Sequence, residues 1–151
     1  MESMPSSCEV PAPAPAASSG SRVLHFQEGF RWQDVPVVDY KQENQTWRGV
    51  CRQVLVGERG EHTAFELRYF EIGPSGYSTR ESHVHEHVVY VLRGRGRVEL
   101  GKSFHDIGPG DVVYVAPSEV HQFRNPSETE PLGFLCMVDR QRDVGVPAKG
   151  E

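Results

Sequence analysis

No apolar run in these 151 residues is long enough to cross a bilayer, so no membrane anchor is expected. The start lacks a charged stretch leading into an apolar one, and no secretory signal is predicted. Cysteine is scarce. Cys8, Cys51 and Cys136 are odd in number and lack metal-type spacing. They offer no disulfide framework and fit a reducing, cytoplasmic setting. Basic clusters are missing, and a net charge of −5 argues against nucleic acid or an anionic membrane surface as partner. Apolar residues at helical spacing with caps occur nowhere.

What the chain does have is turns: fifteen glycines and eleven prolines punctuate short runs of alternating polarity. In 47–56 the faces are Val50/Arg52/Val54/Val56 and Cys51/Gln53/Leu55. In 63–72, Phe65, Leu67 and Tyr69 share one face, and Glu66, Arg68 and Phe70 the other. Gly73-Pro-Ser-Gly76 reads as a turn. About nine such strands predict an all-β fold, a barrel or jelly roll, with room for one core. The Pro/Ala/Ser-rich residues 1–21 are expected to be a disordered tail, 22–145 the β-barrel domain and 146–151 a C-terminal tail. Phe26, Phe30, Trp32 and Tyr40 surround an edge or entry strand interrupted by Pro36. His25, His62 and His105 have no spaced partners and read as surface histidines.

The densest chemistry lies in Glu81-Ser-His-Val-His-Glu-His87, which runs into Val88-Val-Tyr-Val-Leu-Arg-Gly94. Every second residue is metal-capable, so Glu81, His83, His85 and His87 share a face of an extended strand. A second piece follows downstream: Pro109-Gly-Asp111 turns the chain into 112–115, Pro117 closes that strand, and His121 stands just beyond. Together the two pieces resemble the cupin family. Gly76, His83, His85, His87 and Gly94 fill its first motif, and Pro109, Gly110, Asp111, Pro117, His121 and Asn125 its second. The resemblance spans 65–138. It implies a double-stranded β-helix with a metal on its inner wall.

One spacing departs from that pattern, because Glu86 alone separates His85 from the third ligand position, His87. At about 3.3 Å per residue, the Cα atoms of His83 and His87 would lie about 13 Å apart in a flat strand. Either the chain bends near Val84–Glu86, or one histidine is not a ligand. Counting back from Gly94 makes His87 the third ligand and leaves His83 with either His85 or Glu81. The favoured set is His83, His85, His87 and His121 around one divalent ion (Fe, Mn, Ni, Cu or Zn), with Glu81 as a reserve ligand or general base.

Arg52, Gln53 and Arg68 are the candidates for holding a small anionic or chelating substrate. His87 on the inner face puts Val89 and Val91 inside and Tyr90 and Leu92 outside. A strand apolar on both faces needs cover on both: the N-terminal segment, a second subunit as in a homodimer, or both. An open site of imidazoles in an apolar barrel predicts a metal-dependent oxidoreductase of the dioxygenase kind. The alternatives are a non-catalytic metal-dependent binding or sensing module, or a redox-neutral isomerase or lyase using Glu81 as base.

Overall fold

The computed structural model describes residues 20–148. Residues 1–19 of the expected tail, Cys8 among them, lie outside the described residues. Among the described residues there is no helix. The strands are β1 (Phe26–Gln27), β2 (Arg31–Trp32), β3 (Val38–Asp39), β4 (Arg48–Val56), β5 (Phe65–Tyr77), β6 (Glu81–Ser82), β7 (His87–Arg93), β8 (Gly96–Leu100), β9 (Ser103–Ile107), β10 (Val112–Val115), β11 (His121–Arg124), β12 (Leu132–Asp139) and β13 (Val146–Pro147). All but the β1–β2 ribbon join one curled antiparallel sheet, the jelly-roll barrel that the turn-rich sequence predicts.

Its longest pairings run β4–β5–β12–β7–β10. They set Arg52 opposite Phe70, Val54 opposite Arg68, Arg68 opposite Cys136, and Val138 opposite His87. The period of two then sorts the side chains. Phe70, Ile72, Val89, Val91, Phe123 and Phe134 fill the inside, almost without solvent contact. Each such side chain removed from water contributes about 1.5–3 kcal/mol. On the outside, Leu55, Tyr69, Leu92 and Leu135 pack against Phe30 and Trp32 of the N-terminal segment. That segment is therefore one of the covers a doubly apolar sheet requires. Phe30 stacks on Tyr69 with ring centres 6.0 Å apart, and the Arg93 guanidinium lies 4.4 Å over Phe30.

Gly73–Gly76 is not the expected turn. The strand continues through it to Tyr77, while the register against β4 jumps from Val50↔Ile72 to Arg48↔Tyr77. The excursion stays on the sheet because its backbone is satisfied from another strand end. Asn125 Nδ2 donates to the carbonyls of Ile72, Gly73 and Glu130, and the Asn125 amide donates to the Gly76 carbonyl. The asparagine of the second motif is thus a fastener. Gly94 is fixed by backbone too: its φ is +73°, and a Cβ there would run into the Pro131 carbonyl. Cys136 is a free, buried thiol.

Candidate metal centre and its cavity

The histidine stretch is not one strand. After Glu81–Ser82 the chain leaves the sheet, bends at Val84 and His85, and re-enters at His87. This bend removes the 13 Å problem posed by a flat strand. His83 Nε2 and His87 Nε2 lie 2.7 Å apart. β11 brings in His121, directly opposite Glu81 across its pairing with β6. One ring nitrogen from each of His83, His87 and His121 lies within 4.8 Å of the other two.

The second nitrogen of each ring explains the convergence. His83 Nδ1 is 2.7 Å from the His85 carbonyl, and His121 Nδ1 is 2.9 Å from the Glu119 carbonyl. A carbonyl only accepts, so both rings carry their proton on Nδ1 and present a bare Nε2 inward. His87 Nδ1 meets Cys136 Sγ at 3.2 Å. Bare imidazole nitrogens this close repel each other unless a proton or cation intervenes. The donor set therefore fits a divalent transition ion at about 2.1 Å from each nitrogen, with the outer hydrogen bonds fixing ring orientation.

Burial, the largest cause for all three rings, holds His83, His87 and His121 below the ordinary value of 6.5. Arg68 and the neighbouring histidines lower His87 further. In metal-stripped protein the sign follows directly. The unfolded chain binds protons on these rings near 6.5 that the fold refuses, so stability is whole above that pH and declines below it. Chelator-treated protein is expected to melt at a constant temperature above about pH 7, and progressively lower towards about pH 5. Thermal scans across that range check it.

His85 sits beside the converging set. Its ring lies flat on His83 at 3.6 Å, and its Nδ1 is 2.8 Å from the Asp143 carboxylate. Asp143 also accepts from the Val84 and His85 amides. The Val84 amide and the His85 ring are the main causes holding its carboxyl below the usual range. Glu81 is buried on the same side, ion-paired with Lys41.

These groups open into a cavity of about 780 Å³ running into the barrel. Arg52 and Arg68 line it, as do Phe70, Phe123 and Phe134. The Nε of each arginine is buried without a hydrogen-bond partner, an unusual arrangement for so strong a donor. Arg68 Nη2 is 3.3 Å from Cys136 Sγ, and its guanidinium lies 4.7 Å over Phe70. Gln53 does not line the cavity. It points outward, its Nε2 donating to the Phe30 carbonyl and its Oε1 accepting from the Trp32 amide. The physical reason is the alternation of β4, which turns residues 52 and 53 to opposite faces.

Sequence reasoning missed Tyr40, Lys41, Arg140, Arg142 and Asp143, which also line the cavity. Residues 139–143 look like a solvated charge run. They turn back because Arg142 pairs with Glu66 at 3.1 Å and Asp143 with the histidine loop. Val146–Pro147 then pair with Glu81–Ser82.

Residues 68–138 match the cupin domain. The chain is 45% identical over 119 residues to a 1-methylthio-D-xylulose 5-phosphate methylsulfurylase of Rhodospirillum rubrum, covering 78% of this chain and 74% of that protein. A cupin-2 domain structure from the same organism superposes with a TM-score of 0.73 at 44% identity, over 82% of each chain. A cupin 2 conserved barrel protein of Rhodopseudomonas palustris gives 0.76 at 36% identity, covering 85% of this chain and 87% of that one. By its barrel, its paired motifs and these relatives, the chain belongs to the cupin family.

Proposed function

We propose that this protein is a metal-dependent enzyme that removes the methylthio group from a small phosphorylated methylthio-ketose. The observation that carries the reading is a single cavity in which converging imidazoles, two arginines with unsatisfied Nε donors and an aromatic floor meet. The printed activity of the Rhodospirillum rubrum relative supports it. His83, His87 and His121 hold a divalent ion of the Fe, Mn, Ni, Cu or Zn group, with His85 steadying the loop beside them. Such an ion polarises a substrate oxygen as a Lewis acid.

Arg52 and Arg68 take the anionic oxygens, where their free Nε groups lack a partner. Phe70, Phe123 and Phe134 suit the methylthio end, since sulfur packs well against aromatic rings. Glu81 moves protons at the reacting carbon. In Glu81→Gln we expect bound metal to persist and turnover to fall about 10²- to 10⁴-fold. Loss of metal in that variant would make Glu81 a ligand instead.

The test is direct. Purified protein, analysed for metal, is incubated with 1-methylthio-D-xylulose 5-phosphate and a small thiol, and the desulfurised ketose phosphate is followed. No conversion sinks the reading. Oxygen consumption by the same mixture would favour the dioxygenase chemistry that the imidazole set alone also allows.

We infer further that two copies pair through the outer face of β7 and β10. Val88, Tyr90, Val112, Tyr114 and Met137 are all substantially exposed there and adjoin through the β10–β7–β12 register. Among the described residues, β10 also ends its sheet path, with an unpaired edge. Light scattering should give twice the chain mass for wild type and the single mass for Tyr114→Asp. A monomeric wild type would exclude this assembly.

A further inference from the structure

Arg52 and Arg68 are not alone at the cationic end of the cavity. Arg142 comes from the C-terminal return rather than from the barrel wall, and it lines the same space. Its Nη1 donates to the Asp139 carbonyl at 3.1 Å and its Nη2 to the Glu66 carboxylate at 3.1 Å. Arg52 and Arg68 are diagonal neighbours on the inner face of β4 and β5, since Val54 pairs with Arg68. Burial first, then the charges of Arg68 and Arg142, pull the Arg52 guanidinium below its ordinary value, against Glu58 and Glu66. Like charges gathered this closely repel one another unless an anion joins them.

The carboxylates present do not balance them. Glu81 is taken by Lys41 and Asp143 by the histidine loop, so among the described residues lining the cavity Glu66 alone answers three guanidiniums. Glu58 is exposed and lies outside the cavity lining. An excess of two positive charges remains, close to the opposite of a phosphate monoester near neutral pH. Arg68 is only 7% exposed, and its Nε, like that of Arg52, has no partner. Buried donors left spare in this way point to an oxygen-rich ligand. Glu66 and His87 both stand opposite Val138, so guanidiniums and imidazoles lie two strands apart, about 10 Å at the backbone. A small sugar, held by its oxygens at one end and its phosphate at the other, has that reach.

We propose, on the strength of the functional reading above, that Arg142 completes with Arg52 and Arg68 the seat for the substrate's phosphate, and that Glu66 holds Arg142 only until the phosphate displaces it. Arg142 is thereby a specificity-determining residue, selecting the phosphorylated sugar over the free one. Asp143, next in the chain, ties the same segment to the Val84 and His85 amides, so a seated phosphate pins the return across the mouth.

Metal-loaded protein is titrated with inorganic phosphate by calorimetry. With a small thiol present, kcat and KM are then measured for 1-methylthio-D-xylulose 5-phosphate and for the unphosphorylated sugar. Arg142→Ala should weaken phosphate binding about 10- to 100-fold and cut the preference for the phosphorylated substrate by a like factor, the loss falling on KM rather than kcat. Arg142→Lys should recover part of both, because it keeps the charge and loses the fork. Glu66→Gln should tighten phosphate binding about 2- to 5-fold, and weaker binding there would overturn the displacement.

No phosphate binding by wild type overturns the seat outright. If wild type converts the substrate while Arg142→Ala changes neither affinity nor preference, the phosphate sits elsewhere and the functional reading stands. If wild type binds phosphate through Arg142 yet converts nothing even with thiol, the functional reading fails and the anion seat survives. Should the variants not fold, the unaltered protein supplies a second measurement. Phosphate should slow deuterium uptake in peptides covering residues 139–147, and chloride at equal ionic strength should not. Equal slowing by both salts would reduce the effect to screening and overturn the seat.

Discussion

His121→Ala is expected to leave the purified protein with essentially no bound transition metal. The fold delivers this ring alone from the second segment, held at Nδ1 by the Glu119 carbonyl. Without it His83 and His87 remain, 2.7 Å apart, a pair that a single shared proton satisfies. The loss should exceed the roughly 10- to 100-fold in affinity that removing a mere orienting partner costs. Turnover should fall about 10³-fold or more, since the ion's charge stabilisation amounts to several kcal/mol. Elemental analysis after dialysis, with circular dichroism to verify the β-fold, checks both. A variant that keeps stoichiometric metal would take His121 out of the ligand set.

Phe134→Ala is expected to cost about 3–5 kcal/mol of stability, among the largest losses available to a single truncation here. Phe134 lies on β12, which pairs with β5 on one side and β7 on the other. Its ring stacks at 4.7 Å on Phe123 and 5.7 Å on Phe70, joining three strands of the inner face. Deleting it leaves a void that close-packed neighbours fill only in part. Urea unfolding should show a lower midpoint at unchanged slope, and the melting temperature should drop on the order of 10 °C. A loss below about 1 kcal/mol would mean that the inner wall relaxes freely.

The faces of the strands were legible because their period is short and local. Glu66, Arg68 and Phe70 do look inward, and Leu67 and Tyr69 outward, as the alternation predicts. The two motifs located His83, His87 and His121, and the anomalous spacing of His85 and His87 left open either a bend near Val84–Glu86 or a histidine outside the ligand set; the chain bends at Val84 and His85, and His85 stands beside the converging three. What stayed hidden depends on distance in space. Gly73–Gly76 carries turn residues, yet Asn125, some fifty positions later, holds it to the sheet. Gln53 is a polar residue among apolar ones, and only the N-terminal segment's return over Tyr69 shows that its amide is spent on Phe30 and Trp32. The run Asp139–Asp143 has the composition of a solvated end, and nothing local reveals that Glu66 and His85 await it.

That return of the chain gives the molecule a built-in gauge. Asp143 accepts the amide hydrogens of both Val84 and His85, neighbours of the converging histidines that no strand pairing protects. Solvent deuterium can enter those two positions only when the carboxylate lets go. Their exchange rates, read peptide by peptide, would time how often the mouth of the barrel opens in the resting protein, and whether a bound sugar phosphate slows it.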